Sequence, residues 1–217
     1  MAKIDFVSDV VCPWCAIGLQ SLLTALKNVG AEAVELHFQP FELNPDMVPE
    51  GEDIVAHIAR KYGSSKQQIA QSQEMIRSRG AELGFRFDME KRTRTYNTFD
   101  AHRLLHWAGT QGKQLELKRA LLSAYFTEGA DVSDRSVLIR LAGQIGLDAS
   151  TAQEILESNR FAAEVRERER FYQSQGINGV PAIIINDQHL IEGGQPVAVF
   201  EKVLRQLGIT GPTVAAI

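Results

Sequence analysis

Cysteine is nearly absent from this chain: 217 residues hold two, Cys12 and Cys15. A pair this close cannot tie distant segments together, which excludes a disulfide scaffold. A chain of this length also buries enough apolar surface to fold without a staple. Long apolar runs are missing as well. No stretch approaches the ~18 residues of a membrane span. The N-terminal Met1-Ala2-Lys3-Ile4-Asp5-Phe6 lacks the apolar core of a secretory signal and sets Asp5 where such a signal does not tolerate it. The expected compartment is therefore the cytosol, with no membrane association. Charge of one sign is not concentrated either. The 23 basic and 27 acidic residues leave a net charge of −4, and no run of like charges stands out, which argues against nucleic acid as a partner. No internal repeat is visible.

What is present reads as an α/β chain. Lys3-Ile4-Asp5-Phe6-Val7-Ser8 alternates as a strand does. After Cys12-Pro13-Trp14-Cys15, Leu19, Leu22, Leu23 and Leu26 recur at helical spacing up to Gly30, and Val34 to Gln39 alternates again. The start is thus β-α-β, with both cysteines at the first strand-to-helix corner. A turn-rich stretch through Pro40, Pro45 and Pro49 carries Glu42, Asp46, Glu50, Glu52 and Asp53 without a balancing cation.

From there to about Gly176 the chain reads helical. Ser65-x-x-Gln68 forms a capping box for a helix ending near Gly84. Asn97 or Thr98 caps a helix running to Gly112, and Leu115 to Phe126 continues the helical period to Gly129. Ser133 is the expected cap of the next helix, Ser150 opens another, and the last runs from Asn159 to Gln175. Along that last one Arg160–Glu164 and Glu164–Arg168 stand at i,i+4, the pattern of a solvated face. The period then switches. Val180 to Ile185 is a β-branched strand, Asn186-Asp187-Gln188 a turn, and His189-Leu190-Ile191 an antiparallel return. Gly193-Gly194-Gln195-Pro196 precedes a final amphipathic helix through Leu207, and the weakly patterned tail, Gly208 to Ile217, is expected to be loose.

The cysteines carry the chemistry. A thiol at a helix N-terminus sits among unpaired N–H groups and at the positive end of the helix dipole, both of which favour thiolate. Cys12, at the exposed end, is the expected nucleophile toward a disulfide. Cys15, one turn on, is placed to resolve the mixed disulfide. Pro13 stiffens the turn and presets its φ, while Trp14 lays an apolar face beside the reactive sulfur. Two other readings exist, incidental buried thiols and a zinc site. Zinc takes about four ligands, and beyond this pair only His37, His57, His102, His106 and His189 are of the right type. His102 and His106 share a helix face but lack the glutamate of a metalloprotease helix. No metal is expected. The six bases between Arg77 and Arg94 read as surface charge, with attraction for an anion such as glutathione as the other reading.

The Cys12-Pro13-Trp14-Cys15 corner, the helical insertion and Gly179-Val180-Pro181 before a strand resemble the DsbA-like branch of the thioredoxin superfamily. So do Asn97-Thr98-Phe99-Asp100-Ala101-His102-Arg103 and Gly193-Gly194-Gln195-Pro196. The resemblance spans roughly Lys3 to Leu207. It is strongest to the FrnE-type group, which is similar in turn to 2-hydroxychromene-2-carboxylate isomerases and kappa-class glutathione transferases. It implies a thioredoxin-like fold, residues 1–44 and 172–217, interrupted by a helical domain, residues 45–171. It also implies a cis Val180–Pro181 bond beside the cysteines, with the Val180 backbone facing a substrate peptide or glutathione and the proline ring crowding out a metal. Asn97 and His102 are implied to line the substrate cleft; the residues alone equally suit a cap and a partly buried histidine.

The isomerases and transferases generally present a serine where Cys12 stands, so two cysteines point instead to dithiol–disulfide exchange. The secreted DsbA proteins carry a signal peptide, which the N-terminal residues do not lead one to expect here. The resemblance therefore implies a cytosolic oxidoreductase acting on protein or small-molecule disulfides. No tightly bound cofactor is expected, with glutathione the expected candidate for redox partner or co-substrate. The alternatives are a glutathione-dependent isomerase or transferase and a cysteine-independent holdase working through the apolar surface around Trp14.

Overall fold

The structure is a computed structural model that describes residues 1–31 and 34–211. Strand β1 (Ala2–Ser8) leads into helix α1 (Pro13–Asn28) and strand β2 (Val34–Pro40), with β1 and β2 parallel. At the far end β5 (Ala182–Ile185) lies antiparallel to β1, and β6 (His189–Glu192) pairs with β5, giving the order β2-β1-β5-β6. Helix α9 (Val197–Gln206) closes the chain and packs beside α1. The β-α-β and β-β-α ends therefore build one sheet, as the pattern predicts. β1 is one of its two inner strands, and Ile4, Phe6 and Val7 are all buried. Asp5 is buried too, held by Lys3 at 2.9 Å and by the Gln39 amide at 2.6 Å.

Between β2 and β5 come α2 (Ile54–Tyr62), α3 (Lys66–Glu82), α4 (Phe99–Thr110), α5 (Gln114–Ser123), α6 (Arg135–Gln144), α7 (Ala149–Glu157) and α8 (Ala162–Ser174). One apolar cluster runs from Phe6, Leu19 and Leu22 through Leu104, Leu117 and Leu121 to Leu138, so sheet and helices share a core. Gln114 pins the two together. Its amide accepts from Phe38 N–H at 2.8 Å and donates to Phe38 C=O at 3.0 Å, filling the outer edge of β2 as a neighbouring strand would.

The Ser65–Gln68 capping box is present in both directions. Elsewhere the start signals shift. Asp134, not Ser133, caps α6, and Asp148, not Ser150, caps α7, because each carboxylate accepts a backbone N–H while the serines bond to neighbouring aspartates. Helix α8 starts at Ala162 rather than Asn159, since Phe161 is left-handed with φ 63°. The helix of α5 runs on into a π-helical turn, Ala124–Glu128, ended by Gly129 at φ 73°. A two-residue pairing of β3 (Glu52–Asp53) with β4 (Arg94–Thr95) is too short to show a period.

The charged face of α8 is not simply solvated. Neither Arg160–Glu164 nor Glu164–Arg168 pairs among the described residues; instead Arg166 binds Glu42 and Glu169, both buried, and lies 3.8 Å from the Phe99 ring centre. The first residues of the tail are docked, with Ile209 buried and Gly211 N–H on Val29 C=O at 2.9 Å; residues 212–217 of the expected loose tail lie outside the described ones.

Candidate active site

The end of β1 and the start of α1 put Cys12 at the N-cap, in extended conformation (φ −89°, ψ 114°), with Pro13 as the first helical residue. The Cys15 and Ala16 N–H groups donate to Cys12 C=O at 3.1 and 3.3 Å. The first turn carries no acidic residue, so nothing on the helix itself offsets the field of its N-terminus. Both thiols are free and buried, Cys12 4% exposed and Cys15 0%.

Their environments push them in opposite directions. The hydrogen bond from the Cys15 thiol, with help from the Cys15 and Trp14 N–H groups, holds Cys12 below the usual thiol range despite burial and the nearby Asp9 charge. Burial, and then Cys12 itself, push Cys15 well above that range. One sulfur is poised as a nucleophile. The other keeps its proton until it is needed.

Two close backbone approaches seat this corner. The Val180–Pro181 bond is cis, and the Cys12 thiol faces Val180 C=O at 3.7 Å. A Cβ at Gly18 would stand 3.2 Å from the Pro181 ring, and one at Gly194 would stand 2.8 Å from Trp14 C=O. Both positions hold glycine, which lets the 180–181 and 193–196 loops close on the first turns of α1.

In front of Cys12 lies a cavity of about 360 Å3, walled by α2 and α3 and lined by Cys12, Pro13, Trp14, Val180, Tyr62 and Arg92, among others. Trp14 is half-buried there, with the Arg79 guanidinium 5.7 Å from its ring centre. A larger hollow of about 640 Å3 lies between α3 and the 84–90 loop, but it contains neither cysteine. Its charges are answered within it, Arg77 by Glu74 and Arg86 by Asp88.

Of the residues expected at the site, Cys12, Pro13, Trp14 and Val180 converge on the cavity, and Cys15 lies buried behind Cys12. Pro181 is adjacent but packs against Gly18 rather than lining it. Asn97 and His102 do not line it. Asn97 accepts the Phe99 N–H at 2.9 Å at the start of α4 and donates to Pro45 C=O. His102, 2% exposed, faces Asp9 from behind the cysteines, Nε2 to Oδ1 3.4 Å. The helical phase that buries α4 carries His102 inward, away from the cleft.

Three residues were not singled out from the sequence. Arg92 is buried, donates to Tyr125 Oη at 3.2 Å and still borders the cavity. Asp9, 0% exposed, accepts from Val10 N–H and Leu43 N–H, both at 2.7 Å. Burial alone would raise it, but His102 and the Leu43 N–H hold its carboxyl below the usual range. Lys118 is fully buried with no hydrogen-bond partner for Nζ among the described residues. Its signal was present: position 118 falls on the apolar stripe of Leu117, Leu121 and Leu122. No group of three His, Cys, Asp or Glu side chains among the described residues is arranged to hold a metal ion.

Comparison with known proteins places this geometry. The family described as DSBA-like thioredoxin domain matches residues 3–205. The protein YwbO of Bacillus subtilis (strain 168) is 29% identical over 204 residues, covering 93% of this chain and 94% of that one. A probable DsbA oxidoreductase of Streptomyces coelicolor superposes with a TM-score of 0.90 at 29% identity, over 100% of this chain and 94% of that structure. The cytosolic disulfide reductase DsbM of Pseudomonas aeruginosa, solved with GSH, shares the fold at a TM-score of 0.67 and 16% identity, over 95% of this chain and 99% of that one.

Proposed function

The chain belongs to the DSBA-like thioredoxin domain family, and on that premise we propose that it is a cytosolic dithiol–disulfide oxidoreductase of FrnE type working through Cys12 and Cys15. The carrying observation is the opposite polarisation of two free thiols one helical turn apart, Cys12 lining a cavity and Cys15 buried behind it. The Cys12 thiolate attacks one sulfur of a substrate disulfide, forming a Cys12–substrate disulfide and releasing the other sulfur as a thiolate. The Cys15 thiol then loses its proton and attacks Cys12 Sγ. The Cys12–Cys15 bond forms, the second substrate thiolate leaves, and two electrons have passed to the substrate. Low-molecular-weight thiol such as glutathione resets the pair.

In a reducing compartment the net direction is reduction or isomerisation rather than oxidation. The substrates are protein or small-molecule disulfides able to enter between Trp14 and Val180. In the test, Cys12→Ser abolishes reduction of insulin disulfides and Cys15→Ser accumulates mixed disulfides visible by mass spectrometry. Insulin reduction undiminished in Cys12→Ser overturns the assignment.

Arg92 favours a second reading. A guanidinium at the wall of the cavity suits a carboxylate-bearing thiol such as glutathione, which in a glutathione-dependent isomerase or transferase is itself the nucleophile. Turnover of an electrophilic aromatic substrate that requires glutathione and survives loss of Cys15 distinguishes it.

A further inference from the structure

Arg92 is a buried cation that dithiol exchange, as derived above, does not use. It stands just before β4 and is 6% exposed. Its Nε donates to Tyr125 Oη at 3.2 Å, and that hydroxyl donates onward to Arg94 C=O at 2.9 Å. The Tyr125 and Phe126 ring centres lie 5.4 and 5.2 Å from the guanidinium carbon. The π-helical turn thus fixes one edge of the fork and leaves the other free. Nη1 and Nη2 have no acceptor among the described residues, yet neither is sealed off from solvent. They open toward the cavity that holds Cys12, which Arg92 borders.

The acids of the flanking segments do not answer this charge. Asp88 pairs with Arg86 at 3.1 Å and with Lys91 at 3.8 Å, and Glu52 with Arg60 at 2.6 Å and His57 at 2.8 Å. No aspartate or glutamate is among the residues that line the cavity. Thr95, 2% exposed, borders it as well, with a hydroxyl that has no partner among the described residues and is not sealed off either. The β3–β4 register sets Thr95 opposite Glu52, which holds the His57 ring through Nδ1. Arg92, Thr95 and His57 therefore give the cavity a polar wall, whereas Val11, Pro13, Trp14 and Val180 make its lining beside the Cys12 sulfur apolar.

A buried guanidinium without a carboxylate is costly to keep, and the free edge of its fork matches the two oxygens of a carboxylate. We propose that the polar wall is a subsite for the carboxylate of a small organic disulfide, with Arg92 binding the carboxylate while the S–S bond lies against the apolar lining at Cys12. A volume of about 360 Å3 suits a small molecule. A cation this deeply buried is reached by a ligand that enters the cavity and not by the surface of a folded protein. Arg92 is then a specificity-determining residue, selecting acidic disulfides over neutral ones without taking part in the exchange of sulfurs.

This assignment rests on the dithiol reading, and one assay separates the two. Two aromatic disulfides that release coloured thiols are mixed with reduced protein in single turnovers: that of thionitrobenzoate, with a carboxylate on each ring, and that of thiopyridine, with none. The half-saturating concentration and the limiting rate are read separately. A wild type that reduces neither defeats the dithiol reading itself. With reduction present, the carboxylate-bearing disulfide is expected to saturate the wild type at the lower concentration. Arg92→Met is expected to raise that concentration about tenfold to hundredfold, as loss of a charged hydrogen-bonded pair does, and to leave the neutral disulfide and both limiting rates within about twofold. A folded Arg92→Met protein whose two half-saturating concentrations shift alike, or not at all, overturns the proposal. Should that variant not fold, protection of Cys12 from iodoacetamide in the wild type decides the matter. Benzoate is expected to protect at about tenfold lower concentration than benzamide, and equal or absent protection overturns it.

Discussion

Glu42 gives the sharpest test of the electrostatics around the sheet. It stands just past β2, its side chain 2% exposed, and shares the Arg166 guanidinium with Glu169, which accepts from the same Nη1 at 2.7 Å. Two carboxylates thus face one cation, and one oxygen of each, Glu42 Oε1 and Glu169 Oε1, is buried without a partner among the described residues. Burial, and next the Glu169 charge, push Glu42 up from 4.5 to about 7, against the pull of Arg166. Between those values the folded protein holds a proton that the unfolded chain has released. Stability from this group is therefore lost as pH rises from about 4.5 to about 7 and then levels off. At about 1.4 kcal/mol per tenfold the ceiling is ~3 kcal/mol, and screening through the partly exposed Arg166 reduces it to about 1–2 kcal/mol. Glu42→Gln keeps the shape and removes the titration. Urea unfolding at about pH 5 and about pH 8 is expected to show the variant gaining about 1–2 kcal/mol on the wild type between the two, with m unchanged. A wild-type-to-variant difference constant across that range refutes the reasoning.

Other outcomes follow from the site. Thiolate absorbance of the reduced protein is expected to titrate below the free-cysteine value of about 8.5, to vanish from that range in Cys12→Ser, and to move upward in Cys15→Ala, because the Cys15 hydrogen bond is the largest support of the thiolate; a Cys15→Ala midpoint at the wild-type value contradicts this. Gly194→Ala forces a methyl against Trp14 C=O, so a loss of about 1–3 kcal/mol is expected by thermal melting together with slower attack by Cys12; a wild-type melt shows that the approach is not tight. Lys118→Met removes an unpartnered buried amine and is expected to raise stability by about 1–3 kcal/mol in denaturant unfolding, whereas a loss of stability means that the amine has partners in solution.

The fold was legible where a period of two or of 3.6 persists for several turns or residues. β1, α1, β2 and the β5–β6 hairpin follow from alternation and β-branching, and their order from the chain. Capping was less legible, because Asp134 and Asp148 compete with Ser133 and Ser150 and a carboxylate wins by accepting from several donors at once. The surface reading of α8 holds for Arg160, Glu164, Glu167, Arg168 and Arg170, which are exposed, but not for Arg166 and Glu169. Its i,i+4 charges suit a solvated helix in isolation, but Glu42, 124 residues away, supplies a buried partner that Arg166 reaches instead. Local spacing cannot register a partner that only the fold brings near.

The same distinction separates the two faces of the cysteine pair. The outer face is local: Cys12, Pro13 and Trp14 are consecutive, and the helix N-terminus that activates Cys12 is written beside it. The inner face is assembled from Asp9, His102 and Lys118, the last two from α4 and α5. His102 drew notice as a cleft residue, yet the helical phase that buries Leu105 and Ala101 also turns it inward. Lys118 drew none, although a lysine on a leucine stripe is either an error of packing or a functional group held at a cost. The inserted helices supply the walls before Cys12, through α2 and α3, and the buried amine of Lys118, from α5. Their sequence therefore shapes the cavity in front of Cys12 and the interior around Cys15, two features that the four residues from Cys12 to Cys15 do not determine by themselves.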